Sequence, residues 1–205
     1  MQLGSTSGLP RRHPAAGESS LKHDTGDFVV NYVLVVFGEP AFYENNVEPV
    51  GMDAVMKQIV FVRHAEAETG SNVPDQERPL TPNGRAAASQ QSRLIVCCHV
   101  RVQGIITSPA VRARETAEAL AAGLPDKVPV EAADALYNKS SDVVLRFLQR
   151  LPDDLDTVLV VGHLPWVAQL VSLLVTESRD LFFDFPPGTL ACVNLDLLHW
   201  EELEP

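Results

Sequence analysis

From Lys57 onward the chain alternates short, β-branched apolar runs with longer stretches of helical periodicity, and few folds accommodate that alternation. Ile59-Val-Phe-Val62, Gly104-Ile-Ile-Thr107 and Thr157-Val-Leu-Val-Val161 read as strands, the last of them the strongest in the chain. A short strand over 128–131 and an alternating one from Leu190 to Leu195, after the turn Pro186-Pro187-Gly188, complete the set. Helices are predicted from Pro82 to about Val96, with Thr81 as N-cap and Pro82 at N1, and from Pro109 to about Ala122, with Ser108 as cap. Two more are predicted, one capped by Ser141 and reaching about Leu151, the other from Pro165 to about Val175. Near-continuous apolar strands need cover on both faces, so the pattern predicts an α/β fold in three layers, α/β/α, with a mostly parallel central sheet.

The 205 residues suit one such domain with length to spare. Residues 57–205 are assigned to it and residues 1–56 to an extension. Within the extension, residues 1–27 are rich in Gly, Ser, Pro and His without apolar periodicity and are expected to be disordered. The β-prone run 28–37 is either an added strand or a signal-like apolar segment, and Met52 and Met56 offer alternative starts just before the first regular strand.

A formal net charge of −11 argues against a nucleic-acid partner, which would need a basic face. It also implies that any phosphate chemistry must gather the few arginines at one place. No apolar run approaches the roughly 20 residues of a membrane span, so no membrane partner is expected. Cys97, Cys98 and Cys192 form neither a disulfide framework nor a zinc-ligand spacing, and a cytoplasmic setting follows.

The polar residues fall where such a sheet would use them. Arg63-His64 closes the first strand, Ser108 and Arg112 follow the second, and Gly162-His163 ends the strand at 157–161. Ligands of open α/β sheets bind outside the carboxyl ends of the strands, so two histidines and two arginines can converge on one crevice. That set suits phosphoryl transfer, with Arg63 and Arg112 gripping phosphoryl oxygens and a neutral His64 as the nucleophile. A ring N–H of His163 would stabilise the transition state. No metal and no cofactor is required, and the chain lacks the dense Asp and His motif of a two-metal site.

Val62-Arg-His-Ala-Glu-Ala-Glu68 resembles the signature of the histidine phosphatase superfamily, the phosphoglycerate-mutase-like fold, with Ala65 where that family usually has glycine. Arg78-Pro-Leu-Thr-Pro-Asn-Gly-Arg85, Ser108-Pro-Ala-Val-Arg-Ala-Arg-Glu-Thr116 and Val161-Gly-His-Leu-Pro165 extend the likeness over residues 57–200, in the manner of the small SixA-type phosphohistidine phosphatase branch. The resemblance implies a phosphohistidine intermediate on His64 and a phosphate pocket completed by Arg63, Arg112 and His163. Arg114, two positions beyond the matching arginine, is read as a surface or rim residue.

Larger relatives carry an acidic general-acid motif between the second arginine and the second histidine. Here that region reads Glu131-Ala-Ala-Asp-Ala-Leu-Tyr-Asn-Lys139, with Asp134 the nearest candidate and otherwise a solvated loop residue. Without an acid, a substrate with a good leaving group is expected, and a phosphorylated imidazole fits. The expected partner is a phosphohistidine-bearing protein or a small phosphorylated substrate, met by a monomer. The alternatives are a small-molecule phosphomonoesterase of the same fold and a catalytically silent phosphate-binding module.

Overall fold

The computed structural model describes residues 57–70, 73–176, 178 and 184–204, together with the backbone of 23–25 and 28–36. Seven strands form one sheet in the order β1-β2-β7-β3-β6-β4-β5. They are β1 (His23–Thr25), β2 (Phe28–Val36), β3 (Lys57–Arg63), β4 (Gly104–Thr107), β5 (Val130–Ala132), β6 (Thr157–Gly162) and β7 (Leu190–Leu195). The central strands β3, β6, β4 and β5 are parallel, and β7 runs antiparallel to both β3 and β2.

The alternation of side chains along each strand divides the core into two layers. Ile59, Phe61, Val158 and Val160 pack against helices α3 (Ser141–Leu148) and α4 (Trp166–Thr176). Val60, Val62, Leu159 and Val161 pack on the other face, with Ile95 of helix α1 (Pro82–Cys97) and Ala113, Ala117 and Leu120 of helix α2 (Val111–Ala122). The α/β/α layering with a mostly parallel core sheet is therefore as the sequence pattern predicts.

The helices depart from expectation in two places. Thr81 does cap α1, its hydroxyl accepting from the Gly84 amide at 2.9 Å. Helix α2, however, starts at Val111 rather than Pro109, with Ala110 at its N-cap and no side-chain cap. The Ser108 hydroxyl lies 2.7 Å from Nε2 of His163 and accepts from the Ala110 amide at 3.4 Å, so it serves the imidazole and the turn before α2 rather than the helix's own first amides. Helix α3 also ends earlier than predicted, at Leu148.

Within the expected extension, β1 and β2 form an antiparallel pair, and β2 lines the outer edge of β7 from Val30↔Leu195 to Val36↔Leu190. Residues 1–22, 26–27 and 37–56, including most of the segment expected to be disordered, lie outside the described residues.

Removing residues 1–51 strips β2 from β7 but leaves β3, β4 and β6 untouched. The truncated chain is expected to keep its helical and sheet signature by circular dichroism and to melt at a lower temperature than the full chain, because β7 becomes an open edge. Loss of the folded signature altogether would make residues 28–36 an integral strand.

Candidate active site

Three parallel strands end level with one another. Arg63 of β3 lies opposite Gly162 of β6, and Thr107 of β4 lies opposite Val161. The next residues continue the ladder: the His64 amide donates to the Gly162 carbonyl at 3.0 Å, and the Ser108 amide donates to the Val161 carbonyl at 3.0 Å. This places His64, Ser108 and His163 side by side at the carboxyl edge of the sheet, where the sequence pattern located the crevice.

Two glycines make the arrangement possible. A Cβ on Gly162 would sit 1.7 Å from the indole of Trp166, which is buried and donates to the Leu136 carbonyl at 3.2 Å. Gly188, at φ +83°, turns its amide so that it donates to the carbonyls of both Arg63 and His64, at 3.1 and 3.0 Å. A left-handed backbone of this kind is open to glycine at little cost.

The two imidazole rings lie 5.0 Å apart between centroids. His64 Nδ1 is 2.8 Å from the Ala65 carbonyl, which can only accept, so the proton of a neutral ring belongs on Nδ1. Nε2 is then a lone pair, and it accepts from Nε of Arg112 at 3.2 Å. The ring is held down to about 4, first by burial and then by the charges of Arg112, Arg63 and Arg78, against the pull of the Ala65 carbonyl.

His163 is buried and is held down to about 3, by burial first and then by the charges of His64, Arg112 and Arg63, with Asp75 opposing. Its Nδ1 is a buried atom without a hydrogen-bond partner. Both rings are therefore neutral at physiological pH.

Arg112, in the first turn of α2, is 5% exposed, and its terminal nitrogens donate to Asp75: Nη1 to the carbonyl at 2.5 Å and Nη2 to Oδ2 at 3.0 Å. Arg63 approaches from β3, with Nη1 donating to the Phe185 carbonyl and Nε buried without a partner. Burial lowers the pKa of Arg63, partly offset by Asp184. The four residues expected at the site are thus brought together.

Arg114 is exposed on α2, and Asp134 is exposed at the start of the 3-10 turn Asp134–Leu136. Among the described residues, no hydrogen bond joins the Asp134 side chain to the pocket. Nor do three His, Cys, Asp or Glu side chains gather there or elsewhere so as to hold a metal ion.

The structure adds two residues that the sequence reading did not single out. Asp75 opens the 3-10 turn Asp75–Glu77, and its Oδ1 accepts from Nε and Nη2 of Arg78 at 3.0 and 2.7 Å. Tyr137 donates to Asp75 Oδ2 at 3.2 Å and meets the His163 ring in a T-shaped contact, with 5.7 Å between centroids. Burial works to raise the Asp75 pKa, but the hydrogen bonds and charges of Arg78 and Arg112 prevail and hold it at about 2.

Neutral imidazoles, the buried guanidinium of Arg112 and the half-buried one of Arg63 meeting at the strand ends of an α/β/α sheet make a pocket suited to a phosphoryl group. Comparison with known proteins places the chain accordingly. Residues 59–142 match the model of the histidine phosphatase superfamily (branch 1). The phosphohistidine phosphatase SixA of Escherichia coli (strain K12) is 30% identical over 142 residues, covering 68% of this chain and 86% of that one.

Two solved structures are similar as well. The SixA structure complexed with tungstate has a TM-score of 0.59 at 28% identity and covers 66% of this chain and 86% of its own. The structure of a phosphohistidine phosphatase SixA assigned in Agrobacterium tumefaciens has a TM-score of 0.61 at 25% identity and covers 67% and 91%. The chain belongs to the histidine phosphatase superfamily, in its SixA-type branch, and is a phosphatase.

The depressed histidines have a measurable consequence. In the unfolded chain both would bind protons near pH 6.5, whereas in the fold they do so only near 4 and 3. The unfolded state therefore takes up more protons in that interval, and stability is lost as pH falls from about 6.5 through about 4 for His64 and about 3 for His163. An NMR titration should show His64 and His163 uncharged at pH 6, while the exposed His199, raised by its hydrogen bond to Asp153, is already protonating. Midpoints near 6.5 for the two pocket rings would contradict the electrostatic picture.

Proposed function

We propose that this chain removes phosphoryl groups from phosphohistidine on a protein by way of a phosphohistidine intermediate on His64. The observation that carries the reading is the state of His64: neutral, with Nδ1 committed to the Ala65 carbonyl and the Nε2 lone pair facing the Arg112 edge. Nε2 attacks phosphorus, and the P–N bond of the substrate breaks with its electron pair going to the substrate imidazole. Water then attacks the phosphoryl group on His64. The P–Nε2 bond breaks, its pair returns to Nε2, and orthophosphate leaves. Arg63, Arg112 and a ring N–H of His163 bear the charge that develops on the phosphoryl oxygens.

The carboxylates in reach support a substrate with a ready leaving group. Asp75, held at about 2 and engaged by two arginines, has no proton to give at neutral pH, and Asp134 is exposed. A protonated imidazole leaves without help, whereas an alkoxide does not. That the SixA of E. coli is named a phosphohistidine phosphatase agrees with this choice. In this reading a catalytic domain over residues 57–205 works as a cytoplasmic monomer on a protein partner, with no metal, cofactor, nucleic acid or membrane. The unpaired, exposed thiols of Cys97 and Cys98 and a fold whose described helices are too short or too polar to span a bilayer are consistent with it.

A substrate panel assayed in chelator tests the proposal. Phosphohistidine protein should be turned over best, aryl phosphates with acidic phenols less well, and serine or sugar phosphates least. His64→Ala should abolish turnover, and Arg112→Lys should cost roughly 10²-fold, since an ammonium cannot reproduce the planar fork. Asp134→Asn should change little. If sugar or nucleotide monophosphates are the best substrates and Asp134→Asn removes that activity selectively, the chain is a small-molecule phosphomonoesterase instead.

A further inference from the structure

Arg112 presents two distinct edges, and Asp75 takes one of them. The carbonyl and the Oδ2 of this one residue reach Nη1 and Nη2 together, which is possible only at the end of the guanidinium fork. The side edge, formed by Nε–H and the second hydrogen of Nη2, points the other way. There Nε donates to His64 Nε2, and the second Nη2 hydrogen has no partner among the described residues.

The carboxylate that does this is itself immobilised, although its side chain is 55% exposed. An ionised carboxylate offers about four acceptor positions. Oδ1 takes two hydrogen bonds from Arg78, and Oδ2 takes one each from Arg112 and the Tyr137 hydroxyl. Arg78 is tied in turn to the Glu68 carbonyl at 2.9 Å, so the turn that carries Asp75 is anchored to the loop that follows His64.

We propose that Asp75 is a positioning residue, which captures the end of the Arg112 fork and thereby directs its side edge toward His64, where the phosphoryl group is to be gripped. A helix fixes only the base of an arginine side chain, and the freedom of the remaining torsions must be removed by something else. Asp75 removes it with charge of the right sign. The inference rests on His64 and Arg112 forming the phosphoryl site, but not on the identity of the leaving group.

Asp75→Asn keeps the shape, removes the charge and places an amide N–H among donors. The turn buries none of its residues, so the fold should survive. With p-nitrophenyl phosphate as substrate, kcat should fall roughly 10-fold or more through misplacement of the guanidinium. Competitive inhibition by inorganic phosphate should stay as strong or become stronger, because a negative charge beside the site has gone. That inhibition also reports that the pocket is folded.

In an Arg112→Ala background the same substitution should cost nothing further, as expected of two residues acting as a unit. An unchanged kcat, phosphate inhibition weakened in step with kcat, or a full additional loss in the Arg112→Ala background would each overturn the proposal. If Arg112→Ala and His64→Ala themselves retained turnover, the phosphoryl-site reading would be at fault instead.

Discussion

Backbone hydrogen bonding between β3, β6 and β4 brings three parallel strands to an end at one level, and the pocket depends on that shared edge. Because Arg63 is paired with Gly162 and Thr107 with Val161, the residues that follow cannot scatter: His64, His163 and Ser108 must emerge together. A register slip of one residue would reverse which side chains face each layer of the core. The same apolar packing that fixes the register, with Phe61 and Val160 on one face and Val62 and Val161 on the other, therefore fixes the site.

Electrostatics then decides what the edge can do. A chain with a net charge of −11 repels phosphate over most of its surface, so the pocket must concentrate guanidinium groups where the imidazoles lie. Burial first, and then the charges of those guanidiniums, keep His64 and His163 uncharged. Asp75 pairs with Arg112 and Arg78 at the rim. An unprotonated nucleophile and cationic oxyanion ligands thus coexist within a few ångströms, a combination that an isolated histidine beside an isolated arginine would not hold in place.

Much of this was legible in the sequence because it is local. The apolar runs marked β3, β4, β6 and β7 to within a few residues, Thr81-Pro82 marked the start of α1, and the Arg-His and Gly-His pairs at strand ends marked the crevice. What was not legible is set by long-range geometry. Nothing near Ser108 shows that its hydroxyl bonds His163, 55 residues away, rather than capping α2. Tyr137 sits in an unremarkable loop and enters the site through Asp75, 62 residues distant, and through the ring of His163. Asp75 did carry a faint signal, an acid three residues before the Arg78 motif, but that spacing alone suggests a surface ion pair. The antiparallel pairing of β2 with β7 is equally a matter of strand order, which a β-prone run cannot specify.

The central claim is that His64 carries the phosphoryl group between substrate and water. Rapid acid-free quenching of the full chain mixed with a labelled phosphoryl donor, followed by peptide mapping, tests it most directly. The account predicts label on the peptide containing His64, stable in base and lost in acid as a phosphoramidate should be, appearing at the rate of the burst and absent from His64→Ala. Steady turnover with no label on His64 at any time would contradict it and require direct attack by water.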